Sequence, residues 1–308
     1  MSRDLVISAS RTKDTVRFNA TPLFHALSGR RPVRFGLNPK SAPLKLKQIG
    51  ALVLWTCDPE NLTAHRPLRT QLAKLVNRGA VITLQLTVTG LANTALEPGL
   101  PEPDSVAENL VRAFDAELLS PAAVTLRYDP FAEYKLPGGK ILSNANIESF
   151  ESVLNIFLPL GIRRVVVSEM DYRNYDHVQK RLARLGIEPQ PLDSQGLVIE
   201  MDRMATAHDA AFSVCCHPQV EGITNRFGCI DGRHLNELAD LDHAGPFTER
   251  LHNEIGKQRP ACRCTYSRDI GHSKGFRNCY SFGSGCMYCY AQHGLPSYME
   301  TEVRKLLD

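Results

Sequence analysis

Five of the nine cysteines in this chain lie in one short stretch near its C-terminus: Cys262, Cys264, Cys279, Cys286 and Cys289. Cysteines that serve only as small core residues usually occur singly within apolar runs, whereas these lie among glycines and basic residues. Thiolates gathered in one loop are typical of a metal ion or cluster that they bind together. Spacing alone leaves three alternatives open: an iron–sulfur cluster, a structural zinc ion, and disulfides or unrelated thiols.

The sharpest signal within this stretch is Cys286-x-x-Cys289. Two intervening residues allow both sulfurs to turn toward one centre, which suits zinc and iron–sulfur sites alike. Together with Cys262, Cys264 and Cys279 they exceed the four ligands of a tetrahedral zinc ion. A closed zinc site made of Cys262, Cys264, Cys286 and Cys289, with Cys279 spare, remains the alternative.

Basic side chains surround these cysteines, and Asp269 is the single acid between residues 256 and 285. Such a field would stabilise thiolates, an anionic cluster, or a ligand that carries carboxylate or phosphate groups. A solvated basic face is the alternative interpretation. The basic residues are Lys257, Arg259, Arg263, Arg268, Lys274 and Arg277.

The composition is that of an ordinary globular protein of 308 residues, and the net charge of +3 is too small to indicate nucleic acid by itself. The N-terminus lacks the long apolar segment of a signal peptide, and no apolar run approaches the length that spans a membrane. An odd number of cysteines without a secretory signal favours the cytosol and metal ligation over disulfides. We therefore expect a cytoplasmic protein that does not bind membranes.

Short apolar runs alternate with helical patterns about six times along residues 1–221, which predicts an α/β fold with a parallel sheet and crossover helices. One of the predicted helices covers residues 62–77, where leucines recur at helical spacing before Gly79. The predicted strands are 5–7, 51–55, 81–88, 124–126, 164–167 and 212–214.

Each predicted strand ends in polar groups that could ligate or hydrogen-bond. In βα barrels the carboxyl ends of the strands share one face, where active sites are assembled. Because six strands in a row end this way, we expect a common site in a partial, about six-unit TIM-like βα barrel. Residues 222–308 would then form a cysteine-rich lid on the barrel mouth. The strand-end groups are Ser8, Ser10 and Arg11; Asp58; Thr87 and Thr89; Arg127 and Asp129; Ser168, Glu169 and Asp171; Cys215, Cys216 and His217.

The sequence around the four cysteines outside the C-terminal stretch says less about their role. We interpret Cys57 as a half-buried thiol rather than a ligand. Cys215, Cys216 and Cys229 could form a second metal site or serve a redox role.

The chain resembles an uncharacterised prokaryotic family catalogued as domain of unknown function 1848, whose C-terminal cysteine cluster is similar to that of radical S-adenosylmethionine enzymes. Several short motifs in one order, over nearly the whole length, carry this resemblance. They are Ile7-Ser8-Ala9-Ser10-Arg11, Asn38-Pro39-Lys40, Trp55-Thr56 with Pro59, Arg127-Tyr128-Asp129-Pro130, Ser168 with Asp171, Cys229-Ile230-Asp231, Cys262-x-Cys264, Ser267-x-Asp269-Ile270-Gly271 and Cys286-x-x-Cys289-Tyr290-Ala291.

The resemblance implies a [4Fe–4S] cluster bound by Cys279, Cys286 and Cys289, with the fourth iron free to chelate S-adenosylmethionine. Reductive cleavage would then generate a 5′-deoxyadenosyl radical, with an electron donor such as ferredoxin or flavodoxin. The Cys-Met-Tyr-Cys-Tyr-Ala ending also resembles that of spore photoproduct lyase and its relatives. Cys215 or Cys216 would be conjectural hydrogen-atom donors. Candidates for binding the cofactor or substrate are Ser10, Arg11, Arg127, Asp129, Ser168 and Asp171.

The chain departs from the usual Cys-x3-Cys-x2-Cys pattern, because six residues separate Cys279 from Cys286. Gly283 and Gly285 could let the extra residues loop out, since glycine tolerates tight backbone paths. Alternatively, Cys262 or Cys264 could replace Cys279 as a ligand.

These observations favour an iron–sulfur enzyme of the radical S-adenosylmethionine type that acts on an unknown substrate, either nucleic acid or a small anionic compound. Two alternatives remain. One is a [4Fe–4S] electron-transfer or redox-sensing protein whose cluster is fully ligated by cysteine. The other is a zinc-stabilised protein that binds nucleic acid or another anion.

Overall fold

A computed structural model describes residues 5–36, 38, 40–216, 220, 223, 226–240, 247 and 262–307. Several features from the sequence lie outside the described residues. They are residues 1–4, Pro39 of the Asn-Pro-Lys motif, His217 after the sixth predicted strand, residue 222 where the lid was expected to begin, and the basic residues Lys257 and Arg259.

The centre of the molecule is a sheet of seven parallel strands in the order β6-β5-β4-β3-β2-β1-β7. Strands β1 to β6 grow from the six apolar runs, which are rich in the valine, leucine and isoleucine typical of parallel sheets covered on both faces. The bounds are β1 Leu5–Ala9, β2 Ile49–Thr56, β3 Val81–Thr87, β4 Val124–Phe131, β5 Arg164–Glu169, β6 Ala211–Val214 and β7 Arg268–Asp269.

Nine helices are described, together with short 3₁₀ turns and two small antiparallel sheets. These sheets pair Glu133–Lys135 with Glu188–Pro189 and Ile141–Ser143, and Val33–Arg34 with Ser41–Ala42. The helices are α1 Ala20–Leu27, α2 Glu60–Ala64, α3 Arg66–Val76, α4 Pro103–Asp115, α5 Ile147–Phe157, α6 Asp176–Leu185, α7 Ser194–Ala207, α8 Gly232–Leu238 and α9 Ser297–Leu307.

The single helix expected over 62–77 is two helices, α2 and α3. Proline has no N–H for a helix interior but fits the first turn, and Pro67 lies in the first turn of α3. His65 caps this new start, because its Nδ1 accepts a hydrogen bond of 3.1 Å from the backbone N–H of Leu68.

The two faces of the sheet are covered by different parts of the chain. Successive strand residues point to opposite faces, so Ile7 and Leu54 pack with the crossover helices, whereas Val6 and Val53 face the other way. On this second face they meet described residues of the C-terminal part, among them Ile230, Leu235 and Phe247. The C-terminal third therefore covers one face of the sheet.

The predicted α/β fold with a parallel sheet is confirmed, but the prediction of a TIM-like barrel is wrong. Within the described residues, β6 pairs only with β5 and β7 only with β1, so the sheet remains open. The seventh strand comes from the cysteine-rich segment and was missed because Arg268 and Asp269 form no apolar run. No described helix is both long and apolar enough to cross a membrane.

Candidate functional site

A cavity of ≈ 500 Å³ opens where the carboxyl ends of the strands meet. The carboxyl end of each of β1 to β6, or the segment that follows it, contributes to its wall, and so does the C-terminal segment. All nine cysteines line it. So do the other residues predicted for the site, which are Ser10, Arg11, Arg127, Asp129, Ser168 and Asp171.

Three of the lining cysteines, Cys279, Cys286 and Cys289, lie close enough together to affect one another's pKa, and we call them the C-terminal cysteine group. The Cys-x-x-Cys segment forms a turn, in which the backbone N–H of Cys289 donates to the carbonyl of Cys286 over 3.1 Å. The extra residues before it pass through Gly283 (φ 72°) and Gly285 (φ 145°), both in backbone conformations that favour glycine. The structure thus agrees with the expected use of these two glycines.

A buried arginine holds this turn from α6. Arg181 is only 4% exposed, and its guanidinium donates to the carbonyls of Met287 (2.6 Å), Cys289 (2.6 Å) and Gln292 (2.5 Å). Its charge also lowers the pKa of Cys289, against the larger effect of burial, which raises it. Three fixed carbonyls in one turn make Arg181 a positioning residue for the two thiols.

A fourth thiol lies near this group but is already bound to protein. Cys57 is half-buried, as expected, and its Sγ is 3.3 Å from a carboxylate oxygen of Asp14. The same carboxylate oxygen accepts from the backbone N–H of Cys57 over 2.9 Å. Burial, followed by the charge of Asp14, raises the pKa of Cys57 well above its ordinary value. Cys57 is therefore a protonated thiol held by a carboxylate.

The other five cysteines form a second set, which we call the five-thiol group. Cys215 donates to Cys216 with a sulfur–sulfur distance of 3.5 Å. Further sulfur contacts join Cys216 to Cys262, Cys262 to Cys264, Cys264 to Cys229, and Cys229 back to Cys215. The five side chains thus form a closed ring of contacts, and Cys262 and Cys264 belong to this ring.

Two backbone features bring these thiols together. Cys216 has a φ of 55°, which breaks the alternation of side chains after β6 and lets both neighbouring cysteines contact each other. Gly228 lies so close to the 263–264 backbone that a Cβ would be 2.7 Å from the carbonyl oxygen of Arg263. The backbone N–H of Thr265 also donates to the carbonyl of Ile230 over 2.8 Å, which holds the two segments side by side.

The two cysteine sets differ in the ionisation of their thiols. Burial raises the pKa of Cys279 to about 12 and that of Cys286 well above its ordinary value. In the five-thiol group, hydrogen bonds from Cys229 and Cys262, together with the charge of Arg11, hold the pKa of Cys264 well below its ordinary value. Most of these thiols are thus protonated, and a metal must displace their protons on binding.

Two arginines lie beside the five-thiol group. Arg127 donates to the Sγ of Cys229 over 2.6 Å, and it also forms an ion pair with Asp129. Arg11 and Arg127 both stack on Trp55, with guanidinium carbons 5.6 and 5.0 Å from the ring centroid. Positive charge is therefore concentrated beside this group.

Several candidate binding residues are engaged with other protein groups. Ser10 donates to Asp269 over 2.9 Å, and the hydroxyl of Ser168 donates to Asp129. Asp171 accepts from Asn174 over 3.0 Å. The described basic residues around the cysteines are exposed, as the interpretation of a solvated face anticipates; they are Arg263, Arg268, Lys274 and Arg277.

Two further cavity residues carried no signal in the sequence. Glu97 is 3% exposed, and its carboxylate accepts from Thr89 (2.6 Å) and from the hydroxyl of Tyr288. Gln292 is also 3% exposed, and its Nε2 has no hydrogen-bond partner among the described residues. Both come from segments without a motif, so only their position in the fold identifies them.

No three histidine, cysteine or carboxylate side chains within the described part of the chain converge as ligands of a single metal ion. A polynuclear cluster does not require such a point, because each thiolate binds its own iron.

The model of one protein family, described as "Domain of unknown function (DUF1848)", matches residues 6–291. This range contains every cysteine of the chain. No curated protein matches the chain.

Proposed function

Because the chain belongs to the DUF1848 family, whose description states no activity, we propose its function from the site: an iron–sulfur enzyme of the radical S-adenosylmethionine type. Cys279, Cys286 and Cys289 would bind a [4Fe–4S] cluster in the wall of the cavity. Its fourth iron would have no cysteine ligand, and S-adenosylmethionine and the substrate would bind in the same cavity.

The observation that carries this proposal is the number of thiols that lie together in the C-terminal cysteine group. The group has three, and the neighbouring Cys57 is hydrogen-bonded to Asp14. A cluster bound there would thus have three protein ligands and one open coordination position. An electron-transfer cluster needs four protein ligands, and the fourth is available here only if the contact between Cys57 and Asp14 is broken.

The cavity also fits a small ligand with hydrogen-bond acceptors. Its volume of ≈ 500 Å³ lies within the range of small-molecule sites. Gln292 presents an unpartnered amide N–H group close in sequence to Cys289, and an unsatisfied buried donor costs about 1–3 kcal/mol. A carboxylate or hydroxyl of the ligand would satisfy this donor.

When bound, the cluster would supply the electron that cleaves S-adenosylmethionine reductively and so yields a radical that abstracts a hydrogen atom. The chain's own residues position the cluster-binding turn and enclose the cavity. Arg181 fixes the Cys-x-x-Cys turn. Glu97 fixes Tyr288, which lies between Cys286 and Cys289 in the sequence. The buried wall formed by these residues excludes water from the reacting groups.

The test is an anaerobic preparation analysed for iron, sulfide and zinc, followed by electron paramagnetic resonance of the reduced protein with and without S-adenosylmethionine. We expect a signal that changes when S-adenosylmethionine is added. The double variant Cys286→Ala/Cys289→Ala should lose this response. The matched control Cys57→Ser should keep it, because Cys57 lines the same cavity without binding iron.

Two results would contradict the proposal. A signal that ignores S-adenosylmethionine and disappears in Cys57→Ser would identify a closed electron-transfer cluster with Cys57 as the fourth ligand. Zinc without iron, in protein never exposed to air, would identify a structural metal site.

A further inference from the structure

The five-thiol group is a second set of metal-binding side chains that the proposed function does not use. Its members come from three separate segments of the chain, and Cys229, Cys262 and Cys264 are buried whereas Cys215 and Cys216 are half-buried. Five thiols joined in one ring of contacts are unusual in a core, where free cysteines serve singly as small apolar residues. The fold brings them together by close backbone approach at Gly228.

We propose that the five-thiol group binds a second iron–sulfur cluster, one in which protein thiolates fill every coordination position. Cys229, Cys262 and Cys264 would supply three ligands, and one of the neighbours Cys215 and Cys216 the fourth. This inference is independent of the proposed function, because it concerns different cysteines at a different part of the cavity wall.

The number of thiols distinguishes this centre from the C-terminal cysteine group. Four cysteines complete the ligation of a [4Fe–4S] cluster, and the five-thiol group has one more than this. A single zinc ion would need four sulfurs around one point. Metal analysis of the loaded protein distinguishes the two.

The surrounding charge fits an anionic centre. Arg127 already donates to the Sγ of Cys229 over 2.6 Å. Arg11 is half-buried near Cys229, Cys262 and Cys264, and its buried Nη2 has no hydrogen-bond partner in the described part of the chain. N–H groups that donate to cluster sulfurs are among the factors that set the reduction potential. Arg11 and Arg127 would act in this way, because both face the ring of sulfurs.

A cluster without an open position exchanges electrons rather than binding a substrate. In this position it would lie in the wall of the same cavity as the C-terminal cysteine group. It would therefore be within reach of a molecule bound there, and it could pass single electrons to or from that molecule or an external donor.

The experiment counts iron in the full-length protein after anaerobic reconstitution with ferrous iron and sulfide. Two [4Fe–4S] clusters predict about eight irons per chain. The double variant Cys229→Ser/Cys264→Ser should lose about half of the iron while keeping any response to S-adenosylmethionine. The reciprocal variant Cys286→Ser/Cys289→Ser should also lose about half, and should lose that response. Circular dichroism reports whether each variant is folded.

A second measurement needs no substitution. Alkylation with iodoacetamide followed by mass spectrometry should find Cys229, Cys262 and Cys264 protected in the iron-loaded protein and modified after removal of iron by a chelator under denaturing conditions.

The inference is overturned if folded Cys229→Ser/Cys264→Ser retains the iron content of the unmodified protein. Disulfides among these cysteines in protein kept without oxygen, or zinc in place of iron, would also overturn it. If only the proposed function fails, the variant Cys229→Ser/Cys264→Ser still loses about half of the iron. The unmodified protein then shows no response to S-adenosylmethionine.

Discussion

At the scale of single residues, burial decides the charge of Glu97. Its carboxyl is 3% exposed, and this burial raises its pKa although Thr89 and Tyr288 both donate hydrogen bonds to it. The contact with Tyr288 connects it to the turn between Cys286 and Cys289. A carboxyl with a raised pKa keeps its proton to higher pH, and so places less negative charge beside the thiols of this turn.

We predict that Glu97→Gln stabilises the cluster-free protein, and that the gain increases with pH. The folded state keeps the proton of Glu97 above the pH at which the unfolded state loses it. Stability therefore falls as pH rises from the unfolded pKa, near 4.5, through the raised folded value. Glutamine keeps an acceptor for Tyr288 and cannot ionise. Urea unfolding at pH 5 to 8 measures the difference.

Glu151→Gln is the matched control, since it removes an exposed carboxylate on α5. A gain for Glu97→Gln that is equal at pH 5 and pH 8 would show that the carboxyl of Glu97 does not titrate in this range.

The contacts between cysteines show which features of the site the spacing of residues in the sequence does not predict. Cys286 and Cys289 lie in one turn, as their short spacing allows. The contacts that join Cys264 to Cys229, and Cys229 to Cys215, depend on three segments that meet only in the folded chain. Sequence spacing therefore grouped Cys262 and Cys264 with their neighbours along the chain, whereas each of them also contacts a distant cysteine.

At the scale of elements, the close approach of residues 228–230 to 263–265 creates the five-thiol group. The backbone N–H of Thr265 donates to Ile230, and Gly228 leaves room for the carbonyl of Arg263. The sequence contained a glycine before Cys229, but glycine alone does not say which segment approaches it.

We predict that Gly228→Ala separates these two segments. The new Cβ would lie 2.7 Å from the oxygen of Arg263 and 2.8 Å from the Cα of Cys264, so backbone must move. Overpacking of this kind costs about 1–3 kcal/mol, which unfolding in urea should detect. Iron bound at the five-thiol group should decrease as well, although no thiol has been removed.

Gly196→Ala provides the matched control for this prediction. Gly196 lies in α7 and a Cβ there would meet nothing within 4 Å, so alanine should stabilise the helix by up to about 1 kcal/mol. Equal iron content and stability in the two variants would contradict the close approach at Gly228.

The strands show the same contrast between local and tertiary information. Strands β1 to β6 follow from apolar runs, and all six were predicted. Strand β7 has only Arg268 and Asp269, and it forms because main-chain groups pair with β1 while Asp269 accepts from Ser8 and Ser10. Such a strand is specified by its partner and not by its own composition.

At the scale of the whole molecule, the C-terminal third completes the sheet as well as lining the cavity. It supplies β7 beside β1 and covers the face that carries Val6, Val53 and Val166. These three side chains are at most 3% exposed. Described residues of 222–308 therefore pack in the same hydrophobic clusters as residues of 1–221.

We predict that residues 1–221 alone do not fold cooperatively. Exposing three buried valines costs roughly 5 kcal/mol, which is a large part of the total stability of about 5–15 kcal/mol of a typical domain. Near-ultraviolet circular dichroism and urea unfolding should show a state without fixed side-chain packing. A control chain of residues 1–296 lacks only α9 and the C-terminal residue, keeps the cover of this face, and should retain a cooperative transition. Cooperative unfolding of residues 1–221 with native side-chain signals would instead establish an independent domain, with the C-terminal segment as a separable lid.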